Sequence, residues 1–139
     1  MAGDNMNGYL EAARTLYEEA LVAFEQGKGS ENPKAIREAA EKAWGAMVQA
    51  TNSLIEKRRL PLPRTPAGRR ARLADLERLD GRIKQLGFRD RFGAREHFLH
   101  EDCYFDGICP VDLLEEDIFS KVRDYIKDAA SYVNQGGHR

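Results

Sequence analysis

The stretch Arg91-Phe92-Gly93-Ala94-Arg95-Glu96-His97-Phe98-Leu99-His100-Glu101-Asp102-Cys103-Tyr104 decides how this chain is interpreted. Apolar residues recur here at intervals of four and seven, which place side chains on one face of a helix. They predict a helix that ends at Asp106-Gly107 and has the following inner face: Phe88, Phe92, Leu99 and Cys103. The stretch also holds two of the chain's three histidines, two arginines and three acids, so we expect any chemistry to start from this helix.

Four more helices are predicted around this stretch. Asn32-Pro33 and Thr65-Pro66 each put a capping side chain directly before a proline, an arrangement that starts a helix. The apolar spacings then indicate helices over residues 7–26, 33–58, 66–87 and 110–134. No segment shows the sustained alternation of apolar and polar residues that is typical of a half-buried strand.

Helices of this length with short connections favour an all-α fold, namely an up-and-down antiparallel four-helix bundle plus a fifth helix. A chain of 139 residues is expected to form one domain over residues 1–139, with an ordered core at about residues 7–134. The last residues, which include His138, are predicted to be a frayed tail. The second helix is rich in small residues that let a neighbour approach closely, and Trp44 beside them is predicted to anchor the core or an interface.

Composition indicates the compartment. The chain has no apolar run near the roughly 20 residues that cross a bilayer, and its polar start lacks the regions of a signal peptide. A cytoplasmic protein without membrane contact is therefore predicted. Two cysteines, Cys103 and Cys109, are too few for a disulfide framework and are predicted to be reduced thiols.

The net charge of -1 conceals a strong segregation of charge. Residues 57–95 contain thirteen Lys or Arg and four Asp or Glu, and residues 57–74 contain no acid. Such a block can attract phosphates, but it can equally pair with acidic helices of its own fold or of a partner. The second interpretation is favoured, because charge clusters usually reflect solvated faces or ion pairs.

Arg95 and His100 are the leading candidates for chemistry. A histidine moves protons near neutral pH, and a guanidinium stabilises charge that builds on phosphorus oxygens. On an ideal α-helix the two residues lie about 140° apart, so they meet only at a groove edge or across a two-fold axis. Glu96 and His100, four residues apart, share a face and can hydrogen-bond.

A metal site is a weaker alternative. The nitrogen and sulfur ligands of such a site would come from the following residues: His97, His100, Cys103 and Cys109. Structural zinc sites usually pair their ligands through a tight knuckle, which this sequence lacks. We therefore predict no metal and no other cofactor.

Two features resemble the HEPN superfamily, and together with the helical pattern they cover most of the chain. They are Arg95-x4-His100 with Leu99-His100-Glu101-Asp102-x-Tyr104, and the Ala-rich Glu41-Lys42-Ala43-Trp44-Gly45-Ala46 of the second helix. The resemblance implies a dimeric four-helix bundle and a metal-independent endoribonuclease, often the toxin of a pair with a small nucleotidyltransferase antitoxin. It also implies that Arg95 and His100 occupy the motif positions and that Glu96 is the polar residue after the arginine. Arg91-x5-His97 fits the same template as an alternative register.

The resemblance implies a transesterification of RNA. His100 would remove the 2'-OH proton, that oxygen would attack the adjacent phosphorus, and Arg95 would stabilise the resulting charge. The basic middle of the chain would then bind RNA through four arginines: Arg69, Arg70, Arg72 and Arg91.

A dimeric binding or scaffold module is the competing prediction. Its charge segregation would dock a partner, and Arg95 and His100 would be ion-pair residues of the fold. The two predictions differ in what surrounds this pair. A nuclease needs both side chains at one open basic groove, whereas a module is favoured where intrachain salt bridges bury them.

Overall fold

A computed structural model describes the backbone of residues 2–136 and the side chains of residues 8–135. The fold is all-helical, and no strand occurs among the described residues. Residues 137–139 lie outside them, so the predicted frayed tail with His138 is described only up to Gly136, where the last helix ends. None of the helices in this part of the chain has the length and apolar character that a bilayer crossing requires.

The first two helices form a close antiparallel hairpin. Helix α1 is Ala2–Gly29 and α2 is Pro33–Lys57. The Asn32 side chain caps α2 as predicted, accepting hydrogen bonds from two backbone N–H groups, and Pro33 occupies the first turn. A Cβ at Gly45 of α2 would lie 3.2 Å from the Leu16 side chain of α1. The small residues of α2 therefore let α1 approach as the sequence predicted.

The predicted third helix is interrupted. It consists of α3 (Pro66–Leu79) and α4 (Gly81–Leu86), separated by Asp80 in an extended conformation. The Asp80 carboxylate accepts a hydrogen bond of 2.6 Å from the Tyr132 hydroxyl and one of 2.9 Å from the Arg82 backbone N–H. These bonds, that of Tyr132 most, hold the pKa of Asp80 below its usual value. The break lets Asp80 cap α4 and bind the last helix at the same time.

The helix that contains Arg91 to Tyr104 changes type midway. Its first part is the α-helix α5 (Phe88–Arg95), and its second part is the π-helix π1 (Glu96–Phe105). The backbone N–H of Asp106 donates to the Glu101 carbonyl five residues earlier, as the wider π turn requires. The predicted inner face, Phe88, Phe92, Leu99 and Cys103, is fully buried.

The last helix also contains a π turn. It consists of α6 (Val111–Glu116), π2 (Asp117–Val122) and α7 (Arg123–Gly136). Its predicted apolar stripe is buried throughout: Leu114, Ile118, Val122, Tyr125, Ala129 and Tyr132. The helix packs on α1, where the Tyr17 hydroxyl donates to the Ile118 carbonyl, and on α2, where the Tyr125 and Thr51 hydroxyls are 2.6 Å apart.

One core joins these helices. Trp44 is 4 % exposed and packs on Phe92, so its prediction as a core anchor is confirmed. The largest fully buried side chains come from every long helix: Tyr125, Phe24, Phe88, Phe92, Leu10, Met47, Leu54, Ile55, Leu73, Leu76, Ile83 and Leu99. This core fixes α2 between α1 and π1 and thereby positions the candidate site.

Candidate functional site

The π-helix changes the relation between Arg95 and His100. The angle of about 140° between the two residues holds for an α-helix. However, π1 starts directly after Arg95. In a π-helix the backbone bonds close over five residues, so this spacing corresponds to about one turn. The two side chains nevertheless engage different neighbours, Arg95 contacting the last helix and His100 contacting α2.

Arg95 forms a largely buried ion pair within the chain. Its guanidinium donates to the carboxylate of Asp117, the first residue of π2, and the two side chains are only 12 % and 7 % exposed. Burial raises the pKa of Asp117, while the charges of Arg95 and Lys121 act in the opposite direction. The pair therefore joins the starts of the two π segments and satisfies both charges.

His100 forms a second intrachain pair, with Glu41 of α2. Its Nδ1 lies 2.8 Å from a Glu41 carboxylate oxygen. The imidazole stacks on Trp44 with ring centroids 5.6 Å apart, and Tyr104 lies parallel to it at 6.5 Å. A carboxylate on one ring nitrogen fixes the orientation and the tautomer of a histidine, which suits acid–base chemistry at Nε2. Among the described residues, no hydrogen bond to Nε2 of His100 is found.

Sequence reasoning missed Glu41 as part of this site. It was noted only within the resemblance, although one signal was available. Glu41 and Trp44 are three residues apart and therefore lie on the same face of α2. Since Trp44 was predicted to lie beside the buried stripe, the polar Glu41 on that face was a candidate partner for a helix packed against it.

Glu96 has a structural partner as well. It is almost fully buried and accepts a hydrogen bond from Arg70 of α3, one of the arginines proposed to bind RNA. The four-residue spacing allows a hydrogen bond between Glu96 and His100, but the two side chains bind other partners, Glu96 binding Arg70 of α3 and His100 binding Glu41 of α2.

The other proposed RNA-binding arginines also contact their own chain. Arg69 donates to the Asn52 side chain over 3.1 Å, and burial lowers its pKa. Arg72 pairs with Asp75 of the same helix at 3.0 Å. Arg91 pairs with Asp128 at 2.9 Å, and its guanidinium lies over two buried aromatic rings. These contacts agree with the favoured interpretation of the basic block, in which its charges pair within the fold.

Arg91 and Arg95 do meet at one surface cleft. It has a volume of about 400 Å³ and lies between α5 and the last helix, where Lys121 and Asp124 complete its lining. His100 is not among the lining residues. The cleft thus brings together the arginines of both possible registers without the histidine that the predicted chemistry needs.

The two cysteines form a disulfide, so the prediction of reduced thiols is wrong. Cys103 and Cys109 have Cα atoms 4.3 Å apart, because the turn after π1 brings the chain back towards its own last turn. A cysteine in a disulfide has no thiolate with which to bind a metal. Two of the four residues considered for a metal site therefore cannot be ligands. Within the described residues, no cluster of three or more His, Cys, Asp or Glu is arranged to hold a metal ion.

His97, the third metal candidate and the histidine of the alternative register, lies on the surface. Its Nδ1 is 3.2 Å from a Glu101 oxygen, and Asp102 is 3.5 Å from its other nitrogen. The hydrogen bond with Glu101 and the charge of Asp102 raise the pKa of His97. This exposed residue therefore differs from the stacked, half-buried His100.

Comparison with known proteins returns no relationship. No protein-family model matches this chain, no curated protein is similar to it, and no solved structure matches its fold. The function is therefore inferred from the site alone.

Proposed function

We propose that this chain is a homodimeric helical module that acts by binding another protein. One observation carries the proposal: each of the seven side chains predicted to cleave or bind RNA has a hydrogen-bond or ion-pair partner in its own chain. The seven side chains are those of Arg69, Arg70, Arg72, Arg91, Arg95, Glu96 and His100, and Arg70 and Glu96 pair with each other. The module prediction requires Arg95 to be buried in an intrachain ion pair. A guanidinium that is bound to Asp117 has little freedom to hold a phosphate.

The module would be built as an up-and-down antiparallel bundle, with α3 and α4 as the crossover. Three contacts support this arrangement. Lys42 of α2 pairs with Glu19 of α1, Arg37 of α2 donates to the Tyr104 carbonyl of π1, and Lys28 at the end of α1 pairs with Glu115 near the start of the last helix. In each case an early residue of one helix contacts a late residue of the other, as antiparallel neighbours do. Sedimentation velocity of the purified protein tests the dimer, and a monomer at all concentrations contradicts it.

A HEPN-type endoribonuclease is the second candidate, and the contact between His100 and Glu41 favours it. An imidazole held by a carboxylate at Nδ1 can act as a general base through Nε2. On this proposal the protein is cytoplasmic, cleaves RNA without a metal and pairs with a nucleotidyltransferase antitoxin. The disulfide weighs against the cytoplasm, because such bonds are rare in reducing compartments.

RNA cleavage distinguishes the two candidates. The module proposal expects no cleavage of a fluorescently labelled single-stranded RNA by the wild-type protein. The nuclease proposal expects cleavage that His100→Ala abolishes, with a loss of at least about 100-fold, the usual contribution of a general base. His97→Ala is the matched control, since it removes the neighbouring histidine. Loss of cleavage in His97→Ala alone would instead support the register Arg91-x5-His97. Circular dichroism of each variant checks that the helices remain.

A further inference from the structure

Large apolar side chains are unusually exposed in one segment of the chain. We call residues 105–116 the acidic apolar segment. Four of its apolar residues are exposed: Phe105 at 64 %, Ile108 at 65 %, Val111 at 36 % and Leu113 at 51 %. The other exposed large apolar residues among the described ones are scattered: Val22 lies on α1, Leu62 in the loop before α3 and Leu79 at the end of α3. Exposed large apolar side chains that are grouped in one segment are typical of an interaction site.

Clefts lie on both sides of this segment. On one side, Val111 and Cys109 line a cleft of about 370 Å³ against the turn between α1 and α2. On the other side, Leu113 and Glu116 line a cleft of about 340 Å³ against Phe98 of π1. A partner that covers the exposed side chains would therefore find recesses for anchoring side chains at either edge.

The charged residues of the segment itself are all acids, although Lys28, which pairs with Glu115, and Arg37 line the cleft on one side, and Arg95 and Lys121 line the cleft on the other. Residues 96–120 contain eight acids and no lysine or arginine. Two of the acids, Glu96 and Asp117, are buried in the ion pairs described above. The six that remain lie on or next to the segment: Glu101, Asp102, Asp106, Asp112, Glu115 and Glu116. Such a surface repels nucleic acid and attracts cationic side chains.

The end of the segment that carries Phe105 and Ile108 is constrained by contacts within the chain. The disulfide between Cys103 and Cys109 closes the turn that presents Phe105 and Ile108. Arg37 of α2 donates to the carbonyl groups of Tyr104 and Phe105. A loop that is ordered in advance loses less conformational entropy on binding, so its contacts yield more affinity.

We propose that the acidic apolar segment docks a basic amphipathic helix of a partner protein. Apolar side chains of that helix pack on Phe105 and Ile108 and enter the flanking clefts, while its lysines and arginines contact the surrounding acids. The proposal rests on the binding-module function and names its surface and the chemistry of its partner. The acids of the segment oppose the approach of phosphates and so favour a protein over a nucleic acid on this face.

Two synthetic helical peptides test the docking surface. Both have leucine on one face, and the other face is lysine in one peptide and glutamate in the other. By fluorescence anisotropy, the oxidised protein binds the lysine peptide, and Phe105→Ser weakens that affinity at least about tenfold, as truncation of an aromatic anchor does. Val22→Ser is the matched control, because Val22 is 57 % exposed but lies on α1 away from the segment. Asp106→Asn with Asp112→Asn reduces the salt dependence of binding. Reduction of the disulfide also weakens binding.

Three outcomes overturn this proposal: no binding of the lysine peptide, equal binding of the glutamate peptide, or equal losses in Phe105→Ser and Val22→Ser. A fourth is a dimer that Phe105→Ser converts to monomer, since a second copy would then occupy the face. A separate measurement tests the binding-module function: that function is wrong if the wild-type protein cleaves RNA and His100→Ala abolishes the cleavage. Cleavage together with lysine-peptide binding would leave the docking surface in place and remove only the non-catalytic function.

Discussion

Replacing Arg95 by methionine is expected to lower the free energy of unfolding by about 3–5 kcal/mol. The substitution keeps most of the apolar volume but removes the hydrogen-bonded partner of the buried Asp117 carboxylate and leaves only Lys121, 3.9 Å away and half exposed, as a cationic neighbour. Breaking a buried ion pair from one side costs this much because the remaining charge is poorly solvated and only weakly compensated. Urea unfolding at neutral pH, followed by the fluorescence of Trp44, the chain's single tryptophan, measures the loss.

Two controls separate this effect from a general loss of surface charge. Arg89→Met removes an arginine that is 49 % exposed and pairs with Glu77, and a change within about 1 kcal/mol is expected there. The double variant Arg95→Met/Asp117→Leu should recover most of the stability, since a buried pair can often be replaced by apolar residues. If Arg95→Met and Arg89→Met lose equal stability, the buried pair is not what holds π1 to π2.

The loss in free energy of unfolding caused by Arg95→Met should also depend on pH. Burial raises the pKa of Asp117 in the folded protein, and loss of Arg95 removes the strongest opposing influence. The folded-state pKa then lies further above the unfolded value of about 3.9. Between these two values the folded state binds more protons than the unfolded state, so stability falls as pH rises through the window. The difference in stability between Arg95→Met and the wild type is therefore largest at neutral pH, and it becomes smaller as the pH is lowered into that window.

The sequence predicted the helices well because burial repeats at a helical period. In the last helix, each residue of the predicted stripe from Leu114 to Tyr132 is buried. The cap at Asn32 and the start at Pro33 were equally predictable, since both depend on neighbouring residues alone. These features need no knowledge of what packs against them.

The interruptions were not predictable in the same way. The break at Asp80 is stabilised by Tyr132, which is 52 residues away in the sequence. The π segments begin at Glu96 and Asp117, whose carboxylates are bound by Arg70 and Arg95 from other segments. Because π turns are rare, an apolar helical pattern is interpreted as an α-helix, and the contacts that accompany the π segments come from other parts of the chain.

The sequence provided candidate residues for a site but not their contacts. The histidine and the arginines were identified by their chemistry, while their partners lie on other helices, such as Glu41 for His100. The disulfide was missed because an assumed reducing compartment, rather than the six-residue separation of Cys103 and Cys109, decided the prediction. A single sequence therefore does not show which residues of different helices pair with one another.

Replacing Phe92 by alanine is expected to destabilise the protein by about 3–5 kcal/mol, the range for a large aromatic side chain removed from a core. Phe92 is fully buried, and its ring centroid lies 4.9 Å from that of Trp44, which in turn stacks on His100. The cavity would therefore open beneath the candidate site and change the surroundings of Trp44 even in the folded state.

Urea unfolding measures the stability of Phe92→Ala, and the emission of Trp44 in the native protein reports its packing. Leu79→Ala is the control, because this leucine is 57 % exposed at the end of α3 and its loss should change stability by about 0.5 kcal/mol or less. A shifted Trp44 emission is expected in Phe92→Ala, since the ring that covers the indole is gone. Equal stabilities for the two variants, with unchanged Trp44 emission, would mean that Phe92 does not support the helix interface on which Glu41 and His100 meet.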